Sequence, residues 1–471
     1  MSQTPTYTLS VRATIDPKVE SLARVLSIIG ENGADVVATD FVRSSTGGVT
    51  RDLTVLVRDA DHGDALVATL DGLPGVTVEW ARDRITQSHV GGKMTMRNRA
   101  PLTSRDDLSM AYTPGVARVC MAIHDDPERT WDLTIRGNSV AVITDGSSVV
   151  GQGDIGPLAA LPAAEAKCMF LREMAGIDGF PLPLDVREAD RIAFVVEKIT
   201  SVFAGVHITD MAAPKCFEVQ RLLSDVLDIP VIHDVQEGTA AAVLAGLTNG
   251  LALAGKTPEN ATVVVAGLGP SGVATARILA VAGFGNVIAV NRDGAVAGDD
   301  FQDRPELAWI AQNTNPDGRT GSLTDVLAGA DAVVGLTRSG ALTSEAVSTM
   351  GKDPLVFALA MPEPDISRED AIAGGALVYA SGRPDLPNQI TSGVAFPGMW
   401  RGALDCRATA IDDGMVLAAA SAIAATSAGG AAPDHVVPSV FNADLVPNVT
   451  RSVRAAAEAA GLARVADGSI A

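Results

Sequence analysis

The run Gly267-Leu268-Gly269-Pro270-Ser271-Gly272 follows the β-branched stretch Ala261–Ala266 and opens a helical pattern over Val273–Ala282. A lone G-x-G-x-x-G says little. Set between a strand and a helix, with another strand at Asn286–Val290, it reads as a dinucleotide fingerprint. Gly267, Gly269 and Gly272 permit a tight turn and a close backbone approach to a pyrophosphate, which sits with Ser271 at the helix N-terminus. Asn291 and Arg292 end the second strand, where NAD enzymes usually place an acid for the ribose 2′-hydroxyl. Arg292 suits a 2′-phosphate, yet Asp293 follows it, so NAD and NADP both stay open.

Further segments stand out: Ala111-Tyr112-Thr113-Pro114-Gly115, Asp145-Gly146 with Gly151-Gln152-Gly153-Asp154-Ile155-Gly156-Pro157, Glu165-Ala166-Lys167 and Ile232-His233-Asp234. With Ser381-Gly382-Arg383 and Ala395-Phe396-Pro397-Gly398, they make the chain resemble the malic enzymes, in the bacterial form with an N-terminal ACT-like domain. The resemblance implies an α/β fold, homodimers or larger, and oxidative decarboxylation of a malate-like 2-hydroxy acid. It makes Tyr112 the general acid and Lys167 the general base, with Asp210 and Asp234 also at catalytic positions. Those residue types suit the chemistry. A lysine can take the C2 hydroxyl proton as hydride leaves, if its surroundings lower its pKa, and a phenol can protonate C3 of the enolate.

Other positions depart from the family pattern. The resemblance implies a divalent metal held by a Glu-Asp pair and the second Asp of an Asp-Asp pair. This chain reads Thr209-Asp210 and Asp234-Val235, which leaves Asp210 as the matched ligand for Mg²⁺ or Mn²⁺. Mg²⁺ takes oxygen donors, and valine offers none. Substrate-contact positions differ too, with Met361 and Ser392 where the family usually carries asparagines, and Glu237 where bacterial relatives commonly carry histidine. Three readings follow: an oxidoreductase acting on a 2-hydroxy acid other than ordinary malate, with a weakly held or dispensable metal, that decarboxylates its product or stops at hydride transfer; an ordinary metal-dependent malic enzyme making pyruvate from malate; or a non-catalytic dinucleotide-binding protein.

The elements that must hold these groups fall into blocks. Residues 1–88 show two strand–helix passages in a βαββαβ order, with helical patterns at Val19–Gly30 and His62–Leu70, as in a ferredoxin-like ACT domain. Residues 89–253 form a catalytic α/β domain with a buried strand at Ser139–Thr144 and a helix opened by Pro162 and closed by Gly176. Residues 254–429 form a Rossmann-type dinucleotide-binding domain, and 430–471 a helical segment that packs back onto the catalytic domain.

Composition bounds the function from outside. The 471 residues are 47% hydrophobic with a net charge of −20, enough for a large core and wrong in sign for nucleic acid or anionic lipid. No stretch approaches a membrane span. Met1–Pro5 lacks a secretion signal, which points to the cytoplasm. The cysteines Cys120, Cys168, Cys216 and Cys406 are isolated and read as reduced core thiols. The expected partner is a small 2-hydroxy acid.

Overall fold

The computed structural model describes residues 7–18, 21–298, 301 and 304–465, which fall into two compact units divided after Met96. In the first unit, β1 (Tyr7–Ile15), β2 (Asp35–Ser45), β3 (Gly48–Val57) and β4 (Val76–Asp83) form an antiparallel sheet ordered β2-β3-β1-β4. Alternation in β1 sends Leu9, Val11, Ala13 and Ile15 into a core with Val25 and Ile29 of the helix Ser21–Glu31 and Leu66 and Leu70 of the helix Ala60–Asp71. Burial of each such Val, Leu or Ile side chain contributes about 1.5–3 kcal/mol. The opposite alternation carries charge, as in the bidentate pair of Arg12 with Asp52 at 2.7 Å. The βαββαβ order is the one read from the sequence, while Val19 lies outside the described residues.

The second unit contains two parallel sheets. In the first, β5 (Ser139–Thr144), β6 (Asp178–Pro183), β7 (Gly205–Ile208) and β8 (Val231–His233) are ordered β6-β5-β7-β8. In the second, β9 (Thr262–Ala266), β10 (Asn286–Asn291), β11 (Gly294–Ala295), β12 (Ala332–Gly335), β13 (Leu355–Ala358) and β14 (Val378–Ser381) are ordered β11-β10-β9-β12-β13-β14. Only β11 runs antiparallel to its neighbour there. The central strands are buried on both faces, so they read as unbroken apolar runs rather than alternating ones.

Successive strands lie on opposite sides of β5, and again of β9. Each sheet therefore has a switch point at the carboxyl end of its first strand, where α/β sheets open a crevice for ligands.

The structure corrects two expectations. The helix carrying Lys167 starts at Gly156 rather than Pro162, and Pro162 lies inside it. Pro157 already supplies the favoured proline of a first turn. Leu158, whose carbonyl loses its helical donor to Pro162, is 88% exposed, so water can serve that carbonyl. Gly176 does close the helix, in the left-handed region at φ 66°. Second, Cys168, Cys216 and Cys406 are buried, but Cys120 is exposed on the helix Gly115–Asp125, which buries no residue. Burial pushes the Cys168 and Cys216 thiols up to about 12. Among the described residues no helix is long and apolar enough to cross a membrane.

Candidate active site

Loops at the carboxyl ends of four strands meet around a cavity of about 310 Å³. Ser148, Val149, Val150, Gly151 and Gly153 come from the loop after β5, Asp210 and Met211 follow β7, and His233 and Val235 lie at β8. Pro270, from the glycine-rich loop after β9, faces them. Each sheet thus contributes its switch point to one cleft. A roomier cavity of about 440 Å³, lined by Gln220, Glu237, Arg277 and Trp309, holds none of Tyr112, Lys167, Asp210 or Asp234. Chemistry therefore favours the smaller one.

Beside this cleft the helix Gly156–Ala175 presents Lys167 to Asp234, the first residue after β8, with Nζ 2.6 Å from Oδ2. The Asp234 side chain has no exposure, whereas that of Lys167 keeps 25%. Burial opposes both charges, and each outweighs it for the other. Asp234, with help from Asp210, raises the Lys167 pKa, and Lys167 with the His207 ring holds Asp234 well below the usual carboxylate range. Phe396 lies under the ammonium, its ring centre 5.7 Å from Nζ.

Ser392 donates to the same Asp234 oxygen at 3.1 Å. Its hydroxyl therefore braces the ion pair, while its oxygen keeps lone pairs that can accept from a substrate. Asp234 likewise acts here on Lys167.

Asp210 is 6% exposed and adopts a left-handed backbone at φ 51°, which aspartate tolerates better than most residues. Its carbonyl accepts the Ser148 N–H at 3.1 Å, tying the β5 loop to the end of β7. Burial raises its carboxyl to about 6, with Lys167 pulling down and Asp234 pushing up. His233, 1% exposed, lines the same cavity with both ring nitrogens lacking a hydrogen-bond partner, and burial lowers its pKa to about 4. It offers a ligand a neutral imidazole. Behind it, Glu237 accepts the His233 backbone N–H at 2.8 Å, and burial raises its carboxyl to about 7.

The donor set does not fit a hard divalent ion. Asp210 is the one carboxylate on the cavity wall, Val235 lines it with no donor, and the Thr209 hydroxyl is buried without a partner. Among the described residues no group of three or more His, Cys, Asp or Glu side chains is placed to hold a metal.

The glycine loop, by contrast, fits a dinucleotide. A Cβ on Gly267, at φ 95°, would lie 2.4 Å from the Leu336 carbonyl oxygen, and one on Gly272 1.8 Å from that of Gly267. Gly269, at the N-cap of the helix Pro270–Val281, has nothing within 4 Å, so the open side of the loop is where phosphates can approach. Ser271 lies in the first turn of that helix. Asn291 folds back to accept the Asp293 N–H at 2.7 Å, and Arg292 and Asp293 are exposed.

Two other expected residues sit away from the ion pair. Met361 is 41% exposed, and its neighbour Pro362 borders Gly151 at the cleft rim. Tyr112 ends the helix Arg105–Ala111 with 67% exposure, and no hydrogen bond or ring contact joins it to Lys167 among the described residues. Sequence reasoning named His233 only as part of a segment and gave it no role, and it missed His207 and Trp400; the available signal was a histidine inside the apolar strand Val206-His207-Ile208.

The malic enzyme N-terminal domain family matches residues 92–224, and the malic enzyme NAD-binding domain family matches residues 236–458. An NAD-dependent malic enzyme of Geobacillus stearothermophilus is 43% identical over 457 residues, covering 97% of this chain and 95% of that protein. A bifunctional malic/malolactic enzyme of Bacillus subtilis is 41% identical over 380 residues, covering 79% and 92%. Among solved structures, malic enzyme from Pyrococcus horikoshii has a TM-score of 0.76 at 38% identity, covering 80% of this chain and 89% of its own. The NAD-dependent malic enzyme of Thermotoga maritima has the same TM-score and identity over 79% and 99%.

Gly272→Ala drives a methyl group into the Gly267 carbonyl and should weaken NAD⁺ and NADP⁺ binding at least about tenfold. Nicotinamide fluorescence titration measures the loss, and circular dichroism checks that the fold persists.

Proposed function

Because this chain belongs to the malic enzyme family and is an NAD(P)-dependent oxidoreductase of malate-like acids, we propose that it works with the Lys167–Asp234 pair in place of a metal-centred charge. The observation that carries the reading is a buried lysine–carboxylate pair beside a cleft with one wall carboxylate. A bound dinucleotide supplies the hydride acceptor. Lys167, once it has lost its proton, takes the C2 hydroxyl proton as hydride leaves C2, giving the 2-oxo acid. The ammonium so formed then faces the C2 oxygen. As the bond from C3 to the departing carboxylate breaks, CO₂ leaves and the electron pair is delocalised into an enolate stabilised by that ammonium. A proton delivered to C3 completes the reaction, and Tyr112 is the donor we assign to it.

Oxidation of malate by NAD⁺ or NADP⁺ should persist in excess chelator and vanish in Lys167→Ala. Activity that needs added Mn²⁺ and is lost to chelator would restore an ordinary metal-dependent site. Because Lys167 is held above its ordinary value, the neutral amine is scarce at neutral pH, and kcat/KM should climb with pH about tenfold per unit from roughly pH 6 to 8.

Asp210 gives a readout independent of turnover. Its folded carboxyl near 6 lies above that of an unfolded aspartate, so charging it costs stability as pH rises through that range. Asp210→Asn should therefore stabilise the protein at pH 7.5 by up to about 3 kcal/mol, and the gain should disappear below about pH 4. Thermal unfolding across pH measures it. A metal seated on Asp210 would reverse the sign at neutral pH.

The helices Arg105–Ala111 and Gly115–Asp125 bury no residue, yet they expose Leu108, Met110, Tyr112, Val116, Val119 and Met121. An exposed apolar face of this extent marks an interaction site. We assign it to a second copy of the chain, which gives a homodimer and covers Tyr112. The first unit, which has no cysteine, is read as an ACT-like module, and the isolated cysteines of the rest of the chain suit a cytoplasmic enzyme. Met110→Asp with Val119→Asp should convert the dimer to monomer in light scattering and lower activity with it.

A further inference from the structure

His207 lies in the middle of β7 with no exposure, between the rings of Trp400 and Phe396. Trp400 Nε1–H points at His207 Nδ1 from 3.0 Å. An indole nitrogen is a donor only, so Nδ1 must accept, and the proton of the neutral ring is confined to Nε2. That N–H faces Asp234 Oδ1 at 3.5 Å. Both atoms are buried, and at this separation neither has a hydrogen-bond partner, so each is the nearest candidate for the other. Asp234 Oδ2, meanwhile, is taken by Lys167 and Ser392.

We infer that His207, its tautomer fixed by Trp400, is a positioning residue that sets how Asp234 holds Lys167. The inference rests on Lys167 being the base. With Nδ1 occupied by the indole donor, the ring turns its Nε2 side to the pair. Asp234 then has Lys167 as its near counter-charge and a fixed dipole on its other oxygen. The 3.5 Å gap lies at the long edge of hydrogen bonding, and such contacts tighten when the reacting complex forms. When Lys167 gives up its proton, the carboxylate left behind is stabilised by the His207 N–H. Without that donor, the proton stays with the pair and the free amine becomes rarer.

The experiment uses the full-length enzyme with malate and saturating NAD⁺ or NADP⁺, whichever it reduces faster. His207→Phe keeps a ring but removes the donor. It should lower kcat/KM for malate by roughly 10- to 100-fold, the cost of a slightly misplaced catalytic group, with KM for the dinucleotide unchanged. His207→Gln restores an N–H at similar reach and should recover most of the loss. Trp400→Phe frees the tautomer and should give an intermediate loss. Its histidine ring ¹⁵N shifts should show a mixture at His207 where the parent shows only the Nε2–H form.

A His207→Phe enzyme within about twofold of the parent overturns the inference, as does a His207→Gln enzyme as impaired as His207→Phe. If His207→Phe does not fold, Trp400→Phe decides alone: unchanged kcat/KM overturns the inference. Lys167→Ala separates the two layers. If it stays active, the base assignment fails; if it is dead while the histidine variants are normal, only the positioning role fails.

Discussion

A carboxylate sealed from water has to find its counter-charge inside the protein, and Asp234 has done so with Lys167. The idealised cost of burying such a charge is many kcal/mol, so the pair persists only if geometry and further hydrogen bonds repay it. Four parts of the chain converge to do this. The helix Gly156–Ala175 brings the ammonium, the end of β8 brings the carboxylate, Ser392 braces one oxygen and β7 places an imidazole beside the other. Loss of either charge leaves the other buried without its counter-ion, whereas loss of Ser392 or His207 removes only a brace.

The pair also explains why two parallel sheets share one cleft. An open α/β sheet offers ligands a place where neighbouring strands depart in opposite directions. Here one such place is lined by the loop after β5 and the other by the glycine loop after β9, and Pro270 meets Asp210 and His233 across the gap. The dinucleotide end of the cleft is built from backbone, because Gly267 and Gly272 leave no room for side chains. The opposite end is built from charge. Neither half can carry out a redox step alone.

Much of this was legible in the residues. β-Branched runs gave the buried strands, the glycine loop gave the cofactor crevice, and Lys167 and Asp234 stood out before any distance was known. What stayed hidden depended on three-dimensional neighbours. Nothing in the order of residues says that Ser392 turns to Asp234, 158 positions away, or that Trp400 lies against His207, 193 positions away. The start of the Lys167 helix was misplaced because a proline is tolerated inside a helix where solvent can serve the orphaned carbonyl. Tyr112 was placed by resemblance, and a single chain leaves it on the surface because the helices around it have no core of their own to join.

The helix bearing Trp400 is itself clamped from outside. Gly398 and Gly402 sit so tightly beneath Val449 and Val453 of the helix Leu445–Ala459 that an added Cβ would come within 2.6 Å and 3.0 Å of those valines. Glycine backbone there meets the Cβ and Cγ1 atoms of valines, which are branched next to the main chain and cannot swing aside to absorb a change in spacing. The depth at which the indole reaches the imidazole is thus set by two glycines on the same helix as the indole. Divergence among homologues at those two glycines should show up first as altered turnover, well before it registers as a loss of folding.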